Sequence, residues 1–121
     1  MTEDDAPLRK FQKELNAGIV ALVLLATLDQ AREPLYGYQI AKQLEHGEAD
    51  ASIMKQGTLY PVLRSLSASG LLDSRVEPSV SGPPRRYYTI TAAGRQVLKQ
   101  WQQAWTYTRD FVDSILKGSP T

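Results

Sequence analysis

The stretch Gln56-Gly57-Thr58-Leu59-Tyr60-Pro61-Val62-Leu63-Arg64-Ser65-Leu66-Ser67-Ala68-Ser69-Gly70-Leu71-Leu72 decides the fold. Leu59, Leu63 and Leu66 follow one another at steps of four and three, so they line one face of a helix, with Val62 at its border. Thr58, Tyr60, Arg64 and Ser65 fall on the other face, and Gly70 supplies the stop. Pro61 is expected in the first turn, where a missing N–H costs nothing. The polar face offers hydroxyls, a phenol and a guanidinium, and no carboxylate. Such a face suits a nucleic-acid groove. The same spacing also serves an ordinary surface helix, and the flanking sequence separates the two readings.

Upstream, Leu35 to Leu44 reads as a helix with Tyr36, Ile40, Ala41 and Leu44 facing inward, and Gly37 provides either a close backbone approach or a cap. Gly47 to Ser52 reads as a loop, with Ser52 or Gln56 opening the next helix. Two helices joined in this way, the second with a polar outer face, form a helix-turn-helix. Downstream the period changes. Leu72 to Glu77 alternates as a half-buried strand, the tip from Ser79 to Pro84 is built of turn residues, and Arg85 to Thr91 returns as a second strand. This hairpin is a wing. Arg85 and Arg86 at its base are placed for phosphates or the minor groove.

Two longer helices flank this unit. From about Leu8 to Gln30, Leu15, Ile19, Leu22, Val23 and Ala26 make one stripe, and Val20, Leu24, Leu25 and Leu28 widen it nearly all round. A helix apolar on more than one face has more than one neighbour, and in so small a domain a second subunit is expected to be one of them. The last helix starts after Thr91, a good N-cap, and continues to about Lys117. Its apolar positions, Leu98, Trp101, Trp105, Thr108, Phe111 or Val112, and Ile115, outrun a three-helix core. Exposed tryptophans call for a symmetric copy; the alternative is that both belong to the monomer core.

Composition narrows the function. With 121 residues the chain is one domain. It has no cysteine and a single histidine, His46, in a polar helix end. No disulfide, thiolate site or cysteine nucleophile is available. There is no phosphate-cradling glycine loop and no carboxylate pair on an apolar face, so no enzyme, metal site or cofactor is expected. The opening Met1-Thr2-Glu3-Asp4-Asp5 is acidic where a signal peptide would be basic, and the apolar run from Ala17 to Leu28 is short for a bilayer; a cytoplasmic protein without membrane association is expected. The net charge of +1 hides an asymmetry. Residues 1–54 hold five basic and nine acidic groups, whereas residues 55–99 hold Lys55, Arg64, Arg75, Arg85, Arg86, Arg95 and Lys99 against only Asp73 and Glu77. A basic block opening at the polar helix is the footprint of a phosphate-binding face.

Leu35-Tyr36-Gly37-Tyr38-Gln39-Ile40, then Gly57-Thr58-Leu59-Tyr60-Pro61-Val62-Leu63-Arg64-Ser65-Leu66 with Gly70-Leu71-Leu72, then Arg85-Arg86-Tyr87-Tyr88-Thr89-Ile90-Thr91-Ala92-Ala93-Gly94, together closely resemble the PadR family of bacterial transcriptional regulators, over residues 15 to about 117. The resemblance implies a winged helix-turn-helix dimer that binds a palindromic operator and usually represses until an effector loosens it. The chain is similar to the short subfamily with a single C-terminal helix. In multidrug-sensing members a tryptophan eleven residues after the last motif's glycine lines a pore at the dimer centre, and here that position is Trp105. One departure is visible: Ser67-Ala68-Ser69 stands where the family often carries charge.

The expected architecture is mainly α with a small β-hairpin: a disordered N-terminus over residues 1–7, a winged helix-turn-helix domain with its N-terminal helix over 8–90, a dimerisation helix over 91–117, and a tail over 118–121. The expected DNA contacts are Lys55, Gln56, Thr58, Tyr60, Arg64, Arg85, Arg86 and Tyr38, with Arg64 on a phosphate or a guanine. The expected dimer and effector positions are Leu15, Ile19, Val23, Trp101, Trp105, Thr108 and Val112. The expected partners are duplex DNA, a second copy of the chain and a small aromatic effector. The competing reading is a winged-helix protein-interaction module without DNA binding, against which the basic block argues.

Overall fold

In a computed structural model of the chain, residues 5–44 and 56–118 are described. His46, the expected loop from Gly47 to Ser52, Lys55 and the side chain of Gln56 lie outside them. The elements are α1 (Asp5–Gln30), β1 (Leu35–Tyr36), α2 (Gly37–Leu44), α3 (Gln56–Ala68), β2 (Leu72–Glu77), β3 (Arg85–Ile90) and α4 (Ala92–Lys117). The strands form one antiparallel sheet in the order β1-β3-β2. This is a mainly helical winged helix.

The core sits where α1, α3 and the sheet meet. The leucine stripe of α3 is fully inside: Leu59 and Leu63 have no exposed surface, and Leu66 is buried beside them. They pack with Val20, Leu24, Leu25 and Leu28 of α1, Ile40 and Ala41 of α2, and Leu72, Tyr88 and Ile90 of the sheet. Each buried leucine contributes about 1.5–3 kcal/mol of transfer free energy, so this stripe fixes which way the polar face of α3 points. The apolar face of α1 that meets α3 and β3 is thereby the face of a core helix, although α1 is long and apolar enough, by length and composition, to cross a membrane.

Helix ends are closed by their own chemistry. Gly70, at φ +80°, ends α3: its N–H donates to Ser67 O and the Leu71 N–H to Leu66 O, each at 3.0 Å, a left-handed stop that satisfies the last carbonyls. Thr91 caps α4, its hydroxyl oxygen accepting from the Gly94 N–H at 2.9 Å. The same hydroxyl donates to Gly70 O at 2.8 Å, and the Thr91 N–H donates to Leu71 O at 3.1 Å. Gly94 lies so close to Leu71 that a Cβ there would overlap the Leu71 carbonyl. The root of α4 is thus fastened to the end of α3. Gly118, at φ +68°, closes the far end of α4.

Four details differ from the expectation. Leu35–Tyr36 is a short strand paired with Tyr87 and Tyr88 rather than the first turn of α2; its two-residue length leaves no alternation to read. α1 begins at Asp5, three residues early, because Pro7 stands in the first turn where no N–H is required. Pro61 is the sixth residue of α3, beyond the first turn, since the helix opens at Gln56. On β2 only Leu72 is buried; Ser74 and Val76, on its inward register, lie beyond the core edge and are exposed.

Candidate nucleic-acid interface

Burying Leu59, Leu63 and Leu66 turns Thr58, Tyr60, Arg64 and Ser65 outward, all four exposed. Between this face and the base of the wing runs a cleft of about 280 Å³, lined by Tyr36, Gly37, Tyr60, Arg64, Pro84, Arg85, Arg86 and Tyr88. None of these residues is acidic. The structure therefore brings together four of the sequence-predicted contacts, Tyr60, Arg64, Arg85 and Arg86. Thr58 is exposed two residues before Tyr60. Gln56 opens α3.

The two wing arginines separate at the strand. Residues of β3 alternate between faces, and Arg86 takes the Tyr88 side, toward α3, where its Nη1 donates to Ser74 Oγ at 3.1 Å. Arg85 takes the Tyr87 side and lies 4.4 Å above the Tyr36 ring. That ring in turn meets Tyr87 edge-on at 5.2 Å and stacks with Tyr38 at 6.5 Å. Tyr38 is exposed, with Lys42 Nζ 6.0 Å from its ring. Arg85 thus reaches the cleft from the outer face of the sheet, as a cation on an aromatic ledge, and Arg86 from the inner face.

Charge is unbalanced at this site. Arg75 pairs with Glu77 on the outer face, and Arg95 pairs with Asp29 of α1 at 3.1 Å, so two members of the basic block are neutralised away from the cleft. Among the described residues, Arg64, Arg85 and Arg86 have no carboxylate partner. Tyr88 lies in the cleft wall with Arg64 and Arg86. Burial pushes its phenol above the ordinary tyrosine range, while Arg86 and Arg64 pull it back. Tyr36, Gly37 and Tyr88 are wall residues that sequence reasoning did not place in the site; the alternation of β3 carried the signal for Tyr88.

A second concavity, of about 470 Å³, lies between α1 and α4. Of the expected dimer and effector positions, Leu15, Ile19, Trp101, Trp105 and Thr108 line it, together with Glu14, Gly18, Leu22 and Ala104. Trp101 is half-buried against the core, whereas Trp105 is 40 % exposed. Val23 is half-buried deeper along α1 and does not line the groove. Val112 is exposed one turn further out on α4.

Comparison with known proteins agrees with this geometry. The transcriptional regulator PadR-like family matches residues 24–100. Transcriptional regulator Rv3488 of Mycobacterium tuberculosis is 35 % identical over 99 residues, covering 80 % of this chain and 81 % of that protein. Among solved structures, a PadR family transcriptional regulator from Eggerthella lenta has a TM-score of 0.76 at 34 % identity, covering 93 % of this chain and 94 % of that one. A PadR-like transcriptional regulator from Bacillus cereus has a TM-score of 0.70 at 28 % identity, covering 88 % and 99 %. With its polar helix, its wing and the basic cleft between them all in place, the chain belongs to the PadR-like family of transcriptional regulators.

Proposed function

We propose that this DNA-binding regulator acts as a homodimeric repressor on a palindromic operator and is released by a flat aromatic effector. The observation that carries the reading is the cleft between α3 and the wing, where three arginines without carboxylate partners among the described residues flank the one exposed face of a helix narrow enough for a major groove. A protein-interaction module has no need of so one-sided a charge. Two copies of α3 would enter successive major grooves one helical turn apart.

Exposure along α4 supports the dimer. The helix spans about 39 Å, and beyond Trp101 its apolar residues Trp105, Phe111, Val112, Ile115 and Leu116 are all exposed, as are Leu8, Phe11 and Leu15 of α1. A second copy covering both helices removes this surface from water. A planar ligand stacked on Trp105 would favour one crossing angle of the two copies, and an effector can shift only an equilibrium whose states it binds unequally.

The test is selection of bound fragments from the source genome by the full chain. Paired half-sites one turn apart, related by a two-fold, are the expected result. Unpaired sites, or no enrichment, refute it.

A further inference from the structure

Resting on that DNA-binding reading, we propose that the cleft seats a single backbone phosphate of the duplex, held jointly by Arg64 and Arg86, so that Arg64 sets the register of the protein on DNA instead of reading a base. Arg64 stands on the exposed face of α3, the place from which a base reader would extend. It lines the cleft with the wing residues instead, Arg86 and the buried Tyr88 among them. Two arginines thus line one cleft from two different elements, with the buried Tyr88 in its wall. No acidic side chain lines the space between them.

Like charges held together without a counter-ion repel, and an anion between them converts that repulsion into two attractions. The planar fork of arginine matches the geometry of phosphate oxygens. Arg86 is already oriented, since Nη1 is engaged by Ser74 Oγ. Opposite it, the Tyr60 ring is held against the backbone of Gly37 and forms a fixed wall. The seat is therefore prearranged, and it contains nothing that distinguishes one base pair from another.

The experiment measures duplex affinity of the full chain against KCl concentration, on the selected operator and on an unrelated duplex, for wild type, Arg64→Ala, Arg86→Ala and the double variant. Because either arginine alone still neutralises a shared phosphate, each single variant should weaken both duplexes by the same factor with little change of salt slope. The double variant should lower the slope by about 0.9, the value for one phosphate. A double variant that loses about 1.8 would mean two separate phosphates and overturn the shared seat. So would an Arg64→Ala chain that loses preference for the operator over the unrelated duplex. Arg64→Lys, which keeps the charge without the fork, should keep the wild-type slope and bind several-fold more weakly, which guards against a folding artefact. Inorganic phosphate, set against chloride at matched ionic strength, should compete with the duplex more strongly for wild type than for the double variant; equal competition for both would mean that the two arginines form no phosphate seat and would overturn the proposal. If wild type shows no salt-dependent duplex binding, the DNA reading itself fails, an outcome distinct from all the others.

Discussion

The ring of Tyr60 occupies the space that a side chain on residue 37 would need: a Cβ there would stand 2.8 Å from the Tyr60 hydroxyl and 2.9 Å from its Cζ. The start of α2 and the polar face of α3 are locked together by the absence of one carbon. Gly37→Ala should therefore push the exposed tyrosine ring out of the cleft, at a cost to the fold of about 1 kcal/mol or less. In urea denaturation, the second substitution Tyr60→Ala should recover part of that loss. If the two losses simply add, the contact is not the cause.

Thr91 should be as sensitive for a different reason. Its hydroxyl caps α4 and also donates to Gly70 O. Thr91→Ala is expected to cost about 1–2 kcal/mol, at the upper end of the range for a lost cap. Thr91→Ser, which keeps the hydroxyl, should restore most of it in thermal unfolding.

Tyr88 gives the stability of the chain an alkaline limb. Its folded-state pKa is raised, mainly by burial. The unfolded chain then loses this proton first, so stability is fully present below the ordinary tyrosine pKa near 10 and falls as pH rises beyond it. Melting temperatures between pH 9 and 11 should drop less steeply for Tyr88→Phe than for wild type. Equal slopes would show that the phenol is not shielded.

The outer reach of α4 offers a test of assembly. Val112 and Ile115 are exposed, and substituting both with Glu should leave the monomer fold intact by circular dichroism. Sedimentation at micromolar concentration should then show the variant as a single chain and wild type as a pair, with operator affinity lost alongside.

Trp105 offers a test of the effector. Planar aromatics should quench tryptophan fluorescence in wild type and not in Trp105→Phe. Quenching that persists there and disappears with Trp101→Phe would move the ligand to the inner tryptophan.

Much of this was legible in the chain. Leu59, Leu63 and Leu66 fix the buried side of α3, and with it the exposure of Tyr60 and Arg64, because helical period alone sorts them. The cap at Thr91 and the stops at Gly70 and Gly118 are equally local. What escaped depends on distant partners. Leu35–Tyr36 becomes a strand only because Tyr87 and Tyr88 offer an edge some fifty residues later, in contact terms a tertiary choice overriding a helical pattern. In the sequence Arg85 and Arg86 stand as one basic pair. The two-residue period of β3 sends them to opposite faces, and the Tyr36 ring beneath Arg85 was invisible until β1 had been placed. The basic block also thinned in space, as Arg75 and Arg95 found carboxylates that lie two and sixty-six residues away.

The fastening between Thr91 and the Gly70–Leu71 carbonyls makes the reading head and the long rod one lever with no joint at its root. On the proposed effector reading, a change of angle at the tryptophans would be carried through these hydrogen bonds to α3. A ligand held as proposed would then act as a change of aim, with the DNA-facing surface itself left intact.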